Sequence, residues 1–438
     1  MFAYYLQLAV RSLKRNKALT ALMVMTIAFG VAASMTTWSV FRAVSGDPIP
    51  SKSSELFVPQ IDNWGPARLG PKGQPPDALD YTDAVNLMRA HRAKYQSAMY
   101  AIGPLIVPPK AGQHPFSVSG EAVFSEFFPM LDAPFQYGGP WSAKDDTQRA
   151  RVVVISSKLN DKLFGGIDSV GKTINIGGND YTVSGVLDHW NPQPRYYDLT
   201  NNATFNSKGQ GVFIPFNTAI AVSQANQGST NCYAPPSQPG FVGLQHSECS
   251  WISFMVELDG ASQVAAYQQF MDGYARQQQS MGRFSWPPNN RLRGLPAWLA
   301  HEHVVSGDVT TSLLVAWGLL IVCLVNTAGL LLAKFLRRSG EIGVRRALGA
   351  SRREIYTQFL IEAGVIGLAG GVFGLLLTGL GVLGIGLVMP QSVAELAHVN
   401  VSLLGLTLLL AIVVTALAGL YPTFRAAHVQ PAWQLKTN

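Results

Sequence analysis

Apolar positions along the chain follow two rhythms. Four long runs are almost free of charge, at about 19–44, 309–335, 356–389 and 401–424. Each is long enough to cross a bilayer as a helix, which takes roughly 20 apolar residues. Between the first and second runs, short apolar stretches alternate with turns. The pattern predicts a segment at 1–18, a spanning helix at 19–45, a water-exposed domain at 46–308, and spanning helices at 309–335, 355–389 and 401–424. These leave a connecting loop at 336–354, a short loop at 390–400 and a tail at 425–438. The third run is long for one crossing, which predicts tilt or a break near its glycines. The fold class is membrane α-helical, with four transmembrane helices and a large α+β domain inserted between helices 1 and 2.

Charge orients this arrangement. Arg11, Lys14, Arg15 and Lys17 precede the first run. Lys334, Arg337, Arg338, Arg345, Arg346, Arg352 and Arg353 lie at the loop between the second and third, and Arg425 and Lys436 follow the fourth. Residues 46–308 hold 19 Lys and Arg against 22 Asp and Glu. Basic residues stay on the cytoplasmic side, so both termini and the 336–354 loop are predicted inside and the insert outside. The formal net charge of +7 then reflects inner-side anchoring and membrane lipid as a partner, not nucleic acid. The first run could be a signal peptide. Its roughly 23 apolar residues exceed the usual 7–15 of a signal core, so an uncleaved anchor is expected. With apolar Phe2, Leu6, Ala9 and Leu13, the N-terminal segment fits an amphipathic interfacial helix.

Within the insert, 78–94 reads as a helix and the sequence from Arg151 as alternating strand and turn. The 189–249 stretch reads as long loops, and 263–281 as a closing helix. Two helix-bearing flanks around a strand-rich middle predict two lobes, an α+β pattern. Cys232 and Cys249 have 16 residues between them. They are a disulfide candidate in an oxidising compartment, or else two separate thiols; Cys323 lies in the second span as a packing residue.

Three motifs carry chemistry elsewhere and are discounted here. Gly166 to Thr173 fits the P-loop expression, but a phosphate cradle needs a strand before it and a helix after it. Here the order is reversed, so a turn into a strand is expected. His301-Glu302-His303 lacks the i, i+4 spacing of a helical zinc site, and Asp145-Asp146 reads as solvated loop charge. No catalytic residue and no metal site stands out.

The loop is the most informative segment: FLRRSGEIGVRRALGASRREIYTQFLIEAG, residues 335–364. It predicts a short basic helix ended by Gly349 and a capping box from Ser351 to Glu354 opening the third span. Ile342, Ala347 and Leu348 are expected to face the bilayer or a partner, and Glu341, Arg345 and Arg346 the cytoplasm. Gly367/Gly371 and Gly370/Gly374 have the spacing that lets membrane helices approach closely. Asn326 and Glu362 are intramembrane polar groups, expected to hydrogen-bond between helices.

Residues 325–374 and 419–435, with EAVFSEFFPML at 121–131 and VVVISSKLNDKLFGGIDSVGKTINIGGNDYTVSGVL at 152–187, resemble the MacB/FtsX/LolC-LolE-type (type VII) ABC transporter permeases, without the ATPase domain that MacB carries fused. The resemblance implies a non-enzymatic permease subunit in the bacterial inner membrane, its inserted domain periplasmic. Two cytoplasmic ABC ATPase subunits would bind ATP and Mg, and the chain itself no cofactor. Glu341, Ile342, Gly343, Arg345, Arg346 and Gly349 would form the coupling element. A second permease copy or a paralogue would complete the complex, with a periplasmic adaptor and outer-membrane channel as further partners. ATP-driven closure would move the periplasmic domains, a mechanotransmission serving efflux of a drug, peptide or lipoprotein. An FtsX-like regulator that activates a periplasmic partner such as a cell-wall hydrolase is the alternative, and a membrane-tethered periplasmic enzyme or sensor is a third.

Overall fold

The computed structural model describes residues 2–68, 73–109, 112, 114–201, 209–388 and 401–427. The expected 390–400 loop and the tail from residue 428, Lys436 included, lie outside them. In chain order the helices are α1 (Phe2–Arg15), α2 (Lys17–Ser45), α3 (Tyr81–Ala90), α4 (Phe127–Met130), α5 (Ala143–Gln148), α6 (Ser157–Phe164) and α7 (Phe216–Ala221). Then come α8 (Gly240–Gln245), α9 (Gly260–Ser280), α10 (Leu295–His301), α11 (Gly307–Leu336), α12 (Ser339–Ala347), α13 (Arg352–Val388) and α14 (Val401–Ala427). The chain divides into two units, at Gly46/Asp47 and Val304/Val305.

The first unit holds the four helices long and apolar enough to cross a membrane, α2, α11, α13 and α14. Its core joins Ile27 and Val31 of α2, Leu331 and Phe335 of α11, Phe359 and Ile366 of α13, and Ala411 and Ala418 of α14. Side chains such as Leu314, Ile321, Leu383 and Leu387 point outward, as lipid requires. Small residues allow the close contacts: a Cβ added at Gly30 would come within 2.8 Å of Cys323. The buried threonine hydroxyls of this core are satisfied within their own helices. Thr327, Thr378, Thr407, Thr415 and Thr423 each donate to the carbonyl four residues earlier, so no hydroxyl hydrogen is stranded in an apolar medium. Helix α13 is continuous over its 37 residues, about 55 Å at 1.5 Å per residue. Of the tilt or break expected near its glycines, no break interrupts this helix; Gly367, Gly370, Gly371 and Gly374 instead pack closely against neighbouring helices.

The second unit is built on a 12-stranded sheet. Its strands are β1 (Leu56–Gln60), β2 (Tyr95–Ile102), β3 (Leu105–Val107), β4 (Phe116–Ser117), β5 (Gly120–Val123) and β6 (Phe135–Gly138), then β7 (Val152–Ser156), β8 (Thr173–Ile176), β9 (Asn179–Leu187), β10 (Val212–Pro215), β11 (Ser253–Glu257) and β12 (Arg291–Gly294). The order is β12-β1-β11-β2-β5-β10-β7-β9-β8-β3-β4, with β6 also on β9. The flanks and the middle, read from sequence as two lobes, share this sheet. Strand β2 joins them: Tyr95–Met99 pair with β11 and Tyr100–Ile102 with β5. Almost all of β2 is buried, so both halves pack into one apolar core. That core runs from Leu79 and Leu87 through Tyr100 and Val153 to Trp251 and Met271. The P-loop look-alike is a turn, with Gly166 and Gly171 at positive φ, and leads into β8.

Candidate functional site

The elbow between α11 and α13 concentrates the charge of the first unit. Helix α12 carries Glu341 in its first turn and Arg345 and Arg346 in its last, signs that complement the helix dipole. Glu341 accepts from Arg345 at 2.8 Å one turn later and from Arg338 at 3.2 Å. Partial burial alone would raise the Glu341 carboxyl. The hydrogen bond and charge of Arg338, with Arg345 and Arg15 nearby, outweigh it and hold the group below its usual range. Gly349 stops the helix at φ +100°, a conformation that costs glycine little. Ser351 and Glu354 then bond reciprocally, 2.9 and 3.2 Å, to open α13.

The faces of α12 differ from those expected. Ile342 and Gly343 are buried within the unit, and Ile342 belongs to its core with Ile355 and Phe359. Glu341 and Arg345 are drawn into the ion pairs, and Arg345 also donates to Gln358 at 2.8 Å. The outward apolar surface is Val344, 52% exposed, and Leu348, 83% exposed; Ala347 is exposed beside them. Val344 was missed because its neighbours in sequence, Gly343 and Arg345, gave no apolar pattern.

Beneath the elbow lies a charge cluster that sequence reading found only in part. Glu362 of α13 is 1% exposed. It is ion-paired with Lys334 at 2.6 Å and accepts hydrogen bonds from Arg338 at 3.1 Å and from the Ser12 hydroxyl. Arg338 also donates to Ser12 at 3.0 Å and lies 5.8 Å from the centre of the Phe359 ring. Lys334 is as buried as its partner. One carboxylate thus ties α1, the end of α11 and the start of α13 together. Lys334 and Arg338 looked from sequence like ordinary members of a basic loop.

The glycines of α13 face two neighbours. An added Cβ would meet Thr415 at 2.8 Å from Gly367 and Ala411 at 3.0 Å from Gly371, both on α14. From Gly370 it would meet Ile27 at 2.8 Å and from Gly374 Ala28 at 3.5 Å, both on α2. Asn326 corrects another expectation. It is exposed on α11 and, among the described residues, makes no hydrogen bond to another spanning helix, because Cys323 and Thr327 take the inward face.

In the second unit Cys232 and Cys249 form a disulfide, flanked by a backbone bridge between Asn231 and Ser250. Next to it, Glu248 accepts from Arg283 at 2.8 and 2.9 Å. Arg283 also holds Asp80 at 2.6 Å, and Asp83. Burial and the Asp83 charge raise the Asp80 carboxyl well above its ordinary value, with Arg283 opposing them. Arg283 lies 203 and 200 residues from Asp80 and Asp83 and 35 from Glu248, so no local pattern announced them.

A spanning four-helix unit, a large α+β insert and a buttressed basic elbow define a membrane permease architecture. The chain belongs to the MacB/FtsX-type ABC transporter permeases: residues 20–272 match the MacB-like periplasmic core domain, and residues 313–431 the FtsX-like permease C-terminal region. Among its relatives is a macrolide export ATP-binding/permease protein MacB of Hahella chejuensis, 26% identical over 319 residues, 72% of this chain and 42% of that protein. Another is a probable export ATP-binding/permease protein of Pseudomonas fluorescens, 27% identical over 58% of this chain and 33% of that protein. The chain spans between a third and about half of the length of such curated relatives. The periplasmic region of MacB from Actinobacillus actinomycetemcomitans aligns with a TM-score of 0.37 at 12% identity, over 60% of this chain and 98% of that one.

Proposed function

We propose that this chain is the permease subunit of a type VII ABC transporter. In this reading it turns ATP hydrolysis on a separate subunit into motion of the 47–304 unit across the membrane. The observation that carries the reading is the construction of α12. Its inner side is fixed by Ile342 and by the Arg338, Glu341 and Arg345 pairs, and its outer side offers Val344 and Leu348. A push on a helix held this way moves the ends of α11 and α13 with it. Two ATP-binding subunits, which hold the ATP and Mg, would dock on the elbows of two permease chains, identical or paralogous. The elbow and both termini would be cytoplasmic and the 47–304 unit periplasmic. Macrolide export, the activity named for several relatives, makes a small drug-like molecule the first cargo to try.

The test is ATP hydrolysis by the complex purified through this chain from its native membranes. The wild type is expected to bring down an ATPase. Leu348→Asp should lose it while the spanning helices melt as before, because the Leu348 side chain is 83% exposed. A wild-type preparation without ATPase, or a Leu348→Asp complex that hydrolyses ATP normally, overturns the assignment.

A further inference from the structure

The second unit carries a constellation that the permease reading does not use. Asp77 precedes α3, while His301 ends α10 and Glu302 follows it. One ligand atom from each of the three lies within 4.8 Å of the other two. His301 Nε2 is 2.8 Å from Asp77 Oδ1. Glu302 Oε1 is shielded from water and has no hydrogen-bond partner among the described residues. A shielded carboxylate oxygen without a donor is costly, and a cation would satisfy it.

The surroundings favour a cation. Gln60, fully buried, donates through Nε2 to Asp77 Oδ1 at 2.9 Å. Its Oε1 accepts from Arg293 Nε at 2.6 Å. This chain of contacts orients the Asp77 carboxylate as outer partners orient metal ligands. Asp77 is half-open and His301 partly open to water, so an ion can enter.

We propose that Asp77, His301 and Glu302 bind a divalent transition-metal ion. The donor set selects among metals. An imidazole with two carboxylates suits zinc, whereas calcium and magnesium take oxygen ligands. Three protein ligands leave coordination positions for water. The ion would pin the segment before α3 to the end of α10, the last helix of this unit. The spacing of His301 and His303 could not reveal the site, because its third ligand is 224 residues away. His303 is exposed and takes no part.

The experiment uses the full chain in detergent, stripped with a chelator and titrated with Co²⁺ and then Zn²⁺. One Co²⁺ per chain is expected, with visible d–d absorption that stoichiometric Zn²⁺ abolishes, and Zn²⁺ should raise the melting temperature. His301→Ala and Glu302→Gln should each weaken binding by about tenfold or more, and His303→Ala should not change it. Absence of binding at saturating Zn²⁺, or equal binding by the His301→Ala and His303→Ala variants, overturns the site. The outcome is independent of whether the chain serves an ATPase.

Discussion

Glu362 has two cations and a hydroxyl around it and almost no water. Removing one member of a buried charge cluster leaves the others unpaired in a medium of low polarity, which costs about 3–5 kcal/mol. Glu362→Gln should therefore lower the melting temperature of the detergent-solubilised chain clearly. Arg345→Gln should change it little, because that pair is partly exposed and exposed pairs contribute about 0–1 kcal/mol. Equal melting of the two variants would contradict the assignment. Sequence reading reached Glu362, since a carboxylate in an apolar run is conspicuous. It did not reach Ser12, 350 residues away, nor the burial of Lys334 and Arg338. The distribution of charge along a chain does not say which charges lose their water.

Helix α13 shows how an element's sequence can be read while its partners cannot. Glycine spacing announced close packing, and only the fold assigned Gly367 and Gly371 to α14, Gly370 and Gly374 to α2. Gly370→Leu would force side-chain atoms against Ile27, whereas Gly379 has nothing within 4 Å. Overpacking costs about 1–3 kcal/mol, so Gly370→Leu should melt earlier in detergent and Gly379→Leu should not. The end of helix α12 was legible: Gly349 stops it, and Ser351 with Glu354 restarts the chain. Its faces were not, because a nine-residue helix has too few apolar positions to define one. The fold buried Ile342 and left Leu348 outside.

At the scale of the whole molecule, the asymmetry of Lys and Arg gives an orientation that labelling can test. Ser280, at the exposed end of α9, and Leu348 lie on opposite sides of the membrane in the proposed arrangement. A membrane-impermeant maleimide should label Ser280→Cys in intact spheroplasts and Leu348→Cys only after lysis; the reverse pattern would invert the topology. The sequence by itself determined the four spans, the inserted α+β unit and the turns of the elbow. These follow from runs, periods and caps whose physics acts within a few residues. The tertiary structure alone decided that one sheet passes through the whole insert, that Arg283 gathers Asp80, Asp83 and Glu248, and that Asp77 meets His301 and Glu302. Those contacts join residues far apart in the chain, and only the burial of a shared core brings them within hydrogen-bonding distance.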